Sequence, residues 1–146
     1  LKAMLQAGVA VGLGTDGPSS NNNLDILEEV RLAALLHKNQ EQDPQFLPAY
    51  DALKLGTEWG AKVLGLKNVG RLEVGYHADI VLLDTTGVHW SPNHNKISTL
   101  VYAANCGDVD TVMVAGKIVL ENKQLTTIDL ERTIHEVETR GKRLAQ

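Results

Sequence analysis

The chain has 146 residues, 43% of them hydrophobic and 22% charged, and a formal net charge of −4 at pH 7. That balance excludes a disordered chain and leaves no basic face for nucleic acid, since Lys and Arg are scattered apart from Arg140, Lys142 and Arg143. No apolar run approaches the roughly 18 residues of a membrane span, and a single cysteine, Cys106, excludes an internal disulfide and suits a reducing, cytoplasmic setting.

Residues 1–8 read as a helix closing at the C-cap glycine Gly8, and the wholly apolar run Val9 to Leu13 reads as a strand buried on both faces. This strand delivers Asp16 into the Gly/Pro/Ser/Asn loop that follows. Barrels of alternating strands and helices keep their chemistry where strands hand over to loops, so Asp16 is a candidate metal ligand or general base. The same Asp-Gly-Pro run is also ordinary turn chemistry, and spacing alone leaves both readings open. Ser19, Ser20 and Asn21 follow as weaker candidates for orienting substrate, with helix capping the simpler role.

A helix is expected from about Leu24 to Lys38, with Ile26, Leu27, Val30, Ala33 and Ala34 on one stripe. Polar residues 39–44 end it, and Pro48 opens a second helix with Ala52, Leu53, Leu55, Ala61 and Leu64 facing inward. From residue 65 the character changes to short strands punctuated by glycine, with Ile80 to Leu83 as a buried strand. Thr111 to Glu121 reads as a hairpin turning at Ala115-Gly116. A final amphipathic helix follows from Ile128, N-capped by Asp129 and packing through Ile134, Val137 and Leu144. The domain expectation is therefore barrel sequence over 1–64, part of a small β-sandwich over 65–125, and a terminal helix over 126–146. One strand cannot close a barrel, which takes roughly 200 residues or more. The chain is thus expected to be a C-terminal fragment.

Familiar catalytic motifs are absent from the sequence: no Gly-rich phosphate loop, no Gly-x-Ser-x-Gly elbow, no Cys-x-x-Cys and no closely spaced His pair. His89 and His94 flank Pro92 and could meet only by loop folding, while His37, His77 and His135 fall on helices or a turn. Cys106 is expected to be a buried small hydrophobe rather than a nucleophile.

Four stretches in order resemble the amidohydrolase superfamily: residues 11–25 around Gly-Thr-Asp-Gly-Pro-Ser-Ser-Asn, residues 28–38, the Gly-Arg-Leu-Glu-Val-Gly-Tyr-His-Ala-Asp block of 70–79 running on to Asp84, and residues 100–117. Within it the chain is similar to the 5′-methylthioadenosine/S-adenosylhomocysteine deaminases and to their relatives among chlorotriazine hydrolases and guanine deaminases. The resemblance implies the C-terminal part of a metal-dependent (β/α)8 barrel joined to a satellite β-sandwich. It makes Asp16 the carboxylate at the end of the eighth strand, touching one divalent metal, zinc, and taking a proton from the metal-bound water. The implied substrate is a purine nucleoside that loses ammonia, with no nucleic-acid or membrane partner and a homo-oligomeric whole enzyme. The paired His of the family's first strand, its later metal-binding His residues and its acid/base Glu have no counterpart here. A catalytic metal takes about three protein ligands, so this chain alone is expected neither to retain the metal nor to be active. A triazine hydrolase, a guanine deaminase relative and a non-catalytic structural domain stand as alternatives.

Overall fold

Helix formation in the first half follows the apolar stripe and its caps. The computed structural model describes residues 1–144. The short helix α1 spans Lys2–Gln6, and a single helical turn, α2, spans Pro18–Asn21 with its proline at the start. Helix α3 spans Ile26–Glu41, where Asp25 accepts hydrogen bonds from the N–H groups of Leu27 and Glu28 and so supplies the missing partners of the first turn. The single helix expected after Pro48 is broken in two, α4 (Ala49–Leu55) and α5 (Glu58–Val63), at Gly56 and Thr57. Gly56 at this break also lies close against α3. A Cβ on Gly56 would stand 2.9 Å from Val30 Cγ2, so the chain passes α3 at a distance only glycine allows.

The core lies among α3, α4 and helix α6 (Lys96–Tyr102). Val30, Ala33, Ala34, Leu47, Ala52, Leu55 and Val101 are buried together, with Val11, Leu13, Leu53 and Trp59 packed partly against them. The expected stripe of α3 is therefore seated at its centre, whereas Ile26 and Leu64 remain exposed. Arg31 fastens α3 to the far end of α6 by donating to the carbonyls of Val101 and Ala104.

Strands β1 (Ile80–Leu83), β2 (Val109–Val114), β3 (Lys117–Glu121) and β4 (Gln124–Leu125) form an antiparallel sheet in chain order. The β2–β3 hairpin turns at Ala115 and Gly116, both with positive φ (49° and 80°), the backbone that matches the twist of a two-residue turn. Three expectations need correction. Residues 65–79 carry no strand, because Gly65, Asn68, Gly70 and Gly75 all sit at positive φ and break the run. Ile80–Leu83 is a strand, but Val81 and Leu82 are exposed at this edge of the sheet. Val9 to Leu13 forms no ladder; Val9 is exposed, and Leu13 N–H bonds instead to the Leu55 carbonyl at 3.0 Å. A strand exists through its neighbours, and none of the described residues pairs with it.

Helix α7 (Leu130–Leu144) starts where Asp129 accepts from the Arg132 N–H, as expected of its N-cap. Its stripe finds no partner, however: Ile134, Val137 and Leu144 are exposed, and no described residue of α7 is buried. No described helix is long and apolar enough to cross a membrane.

Candidate active site

Two anchors lead the chain into the Asp16 loop. On one side, Gly12 lies against α5, where an added Cβ would approach Gly60 Cα to 2.9 Å, and Leu13 is bonded to the end of α4. On the other, Asn21 Nδ2 donates to the Thr15 carbonyl at 2.8 Å and to Glu29 Oε1 at 2.7 Å. Between them Asp16 holds φ at 58°, a left-handed backbone that few residues with a Cβ adopt.

The Asp16 carboxylate is exposed but engaged at both oxygens. Oδ1 accepts from the Gly17 N–H and Oδ2 from the Ser20 hydroxyl, each at 2.8 Å. The Ser20 and Gly17 bonds hold its carboxyl below the usual value, so it is anionic at neutral pH. An ionised carboxylate has about four lone-pair sites, which leaves acceptor capacity for a cation.

The other candidates divide by what they touch. Ser20 donates to Asp16, with the Gly17 carbonyl a more distant second acceptor for the same single hydroxyl hydrogen; Asn21 ties the loop to α3; Ser19 is exposed. None of the three caps α3, which Asp25 does. Asp25 has a second use that the sequence did not reveal, since its Oδ2 accepts from the Cys106 N–H at 3.2 Å, 81 positions away.

His89 does not meet His94; its Nε2–H donates to the Asp108 carboxylate at 2.8 Å. Asp108 is buried and also accepts from the Asn105 N–H in a capping box. Burial pushes its carboxyl up, but the His89 and Asn105 bonds prevail and leave it below the ordinary value. The Asn-x-x-Asp spacing of 105–108 could have signalled the capping box, but nothing in the sequence joined His89 to it. Cys106 is exposed, contrary to expectation, because the turn carrying it lies at the surface. Partial desolvation and the nearby Asp25 carboxylate push its thiol up, which makes it a poor nucleophile at neutral pH.

Among the described residues no three His, Cys, Asp or Glu side chains converge as a metal site. Asp16 is one oxygen donor where zinc takes about three protein ligands. The residues of this chain do not by themselves fit a bound metal, and no chemical step follows from them through one.

Residues 1–119 match the family model described as the amidohydrolase family. The 5-methylthioadenosine/S-adenosylhomocysteine deaminase of Dictyoglomus thermophilum is 51% identical over 97% of this chain, and that of Pelotomaculum thermopropionicum is 52% identical over the same share. The chain spans about a third of the length of these relatives (33%). Among solved structures, a Xanthomonas campestris adenosine deaminase with bound zinc superposes with a TM-score of 0.94 at 35% identity, covering 98% of this chain and 33% of that one. A zinc-complexed atrazine chlorohydrolase from Arthrobacter aurescens TC1 gives 0.83 at 33% identity, over 92% of this chain and 30% of that one.

Proposed function

The chain belongs to the amidohydrolase family, and from that premise we propose that it is the C-terminal third of a hydrolytic deaminase that releases ammonia from adenosine-type nucleosides, 5′-methylthioadenosine and S-adenosylhomocysteine. One observation carries the reading: an exposed, anionic carboxylate held in a left-handed turn at the end of an apolar run, in a chain that matches deaminases along nearly its whole length. In this reading residues 1–64 belong to a (β/α)8 barrel in which Val9 to Leu13, unpaired here, becomes the last strand beside neighbours outside this chain, and residues 65–125 contribute to the satellite β-sandwich; of the terminal helix expected over 126–146, residues 145–146 lie outside the described residues. Asp16 serves as one donor to a divalent ion, zinc, whose other donors lie outside this chain. The whole protein is a cytoplasmic homo-oligomer.

The unpaired apolar segment at Val9 to Leu13 and the lone donor Asp16 support the corollary that the 146-residue chain alone is inactive. The likeness to a triazine hydrolase favours a second reading, displacement of chloride from a triazine ring. Both are tested by assaying ammonia release from 5′-methylthioadenosine, S-adenosylhomocysteine and adenosine, beside chloride release from a chlorotriazine, with the whole protein, its Asp16→Ala variant and this chain. Ammonia release by the whole protein alone, lost in Asp16→Ala, is the expected result; chloride release without ammonia would transfer the assignment to the triazine reaction.

A further inference from the structure

We propose that Asn21 and Glu29 are positioning residues for Asp16, a role that rests on the deaminase reading above. Asp16 sits in the left-handed region at φ 58°, which aspartate tolerates better than most residues with a Cβ, so the turn is available to it but its place against the rest of the molecule must be fixed by other contacts. Its own two bonds, from Gly17 and Ser20, belong to the same short loop and turn with it. They orient the carboxylate within the loop but not the loop within the molecule.

Asn21 supplies that second constraint. Its amide has two hydrogens, and both are used: one on the carbonyl of Thr15, the residue before Asp16, the other on Glu29 Oε1. Glu29 stands on α3 beside Val30, which is only 2% exposed at the centre of the core. The amide therefore transmits the position of the most firmly packed helix to the peptide group preceding Asp16. Because the acceptor is a carboxylate, this bond is of the stronger, charge-assisted kind. Displacement of a catalytic donor by about 1 Å can cost about 100-fold in rate, so a brace at this point governs how well Asp16 meets its partners.

The test uses the whole protein carrying Asn21→Asp, Glu29→Ala, Glu29→Gln and, as a control, Glu28→Ala, which removes the neighbouring charge but contacts Asn23 rather than the Asp16 loop. Asn21→Asp removes the donors at unchanged size but sets a second carboxylate against Glu29, so Glu29→Ala, which adds no charge, separates a lost brace from repulsion. Glu29→Gln keeps an acceptor without the charge. The expected result is a fall in kcat of about 10- to 100-fold in Asn21→Asp and Glu29→Ala, with KM unchanged and zinc affinity weakened against a competing chelator. Glu29→Gln, which keeps a weaker neutral acceptor, loses clearly less kcat than Glu29→Ala, and Glu28→Ala retains wild-type kcat. Amide exchange in peptides covering residues 14–22 accelerates in Asn21→Asp and Glu29→Ala only. Unchanged kcat in those two variants, or a Glu29→Gln variant as impaired as Glu29→Ala, would overturn the proposal. If the wild-type protein releases no ammonia, the functional reading fails by itself; amide exchange and zinc affinity then decide the brace, and it falls if neither changes.

Discussion

Replacing Asp25 by alanine removes two unlike interactions at once, and their sizes follow from where each oxygen points. Oδ1 caps α3 through the N–H groups of Leu27 and Glu28, at 2.9 and 3.3 Å, and losing such a cap costs about 1 kcal/mol. Oδ2 accepts from the Cys106 N–H at 3.2 Å, a long bond to a charged acceptor on a half-buried residue, for which about 1 to 1.5 kcal/mol is appropriate. Asp25→Ala should therefore destabilise the chain by about 2 to 2.5 kcal/mol, a fall in Tm of roughly 4 to 10 °C for a domain of this size. Asp25→Asn separates the two parts, since asparagine caps as well as aspartate but turns a donor toward the Cys106 N–H. It should lose about half as much. Urea unfolding at constant m-value measures both. An Asp25→Ala loss under about 0.5 kcal/mol, the scatter of neutral surface changes, would refute the reasoning, as would Asp25→Asn equal to Asp25→Ala.

Gly70→Ala should cost at least about 2 kcal/mol, because φ is 82° and the new Cβ would lie 2.9 Å from Glu58 Cα and 3.0 Å from the Thr57 carbonyl; Gly8→Ala, at φ 72° with nothing within 4 Å, should cost about 1 kcal/mol, and equal losses in urea unfolding would remove the packing argument. The Asp108 carboxyl is lowered in the folded chain, so its contribution to stability is present above the unfolded carboxyl pKa of about 3.9 and is lost as pH falls through the lower folded value. Asp108→Asn should destabilise at pH 7 and flatten the stability profile below about pH 4; an unchanged acid limb would count against it. Gly87→Ala should act on the same pair, since its Cβ would stand 2.6 Å from the His89 ring, and a shifted His89 imidazole signal in NMR is the readout. Ile134→Asp on the exposed stripe of α7 should change the stability of this chain by less than about 0.5 kcal/mol in thermal unfolding.

What could be read from the sequence was what short range determines. The α3 stripe, the Ala115-Gly116 turn and the Asp129 cap each depend on residues within a few positions, and each is found where the pattern placed it, apart from the exposed Ile26 at the start of the stripe. The amidohydrolase assignment came from extended motifs and is confirmed by the family match over residues 1–119. Burial was the weaker inference. Apolar sequence at Val9 to Leu13 and along α7 states that a surface is fit to be covered, whereas coverage depends on neighbours that periodicity does not name. The His89–Asp108 pair, 19 positions apart, and the Asn21–Glu29 contact carried no periodic signal.

These two classes of residue explain how a site can be half specified. The Asp16 turn is determined almost wholly from within: Leu13 on Leu55, Asn21 on Thr15 and Glu29, Ser20 and Gly17 on the carboxylate itself. Hydrogen bonds of this kind are directional and need no outside partner. The exposed apolar surface is determined differently. Elsewhere on the chain Val9, Leu64, Leu72 and Val81 are exposed and directionless, able to accept any complementary surface. A donor must be held to tight geometry before its partners arrive, while a docking face need only be apolar and of the right shape. The contrast between the tightly bonded Asp16 turn and the exposed apolar residues elsewhere on the chain is consistent with the proposal that Asp16 is held in place before partners outside this chain meet it.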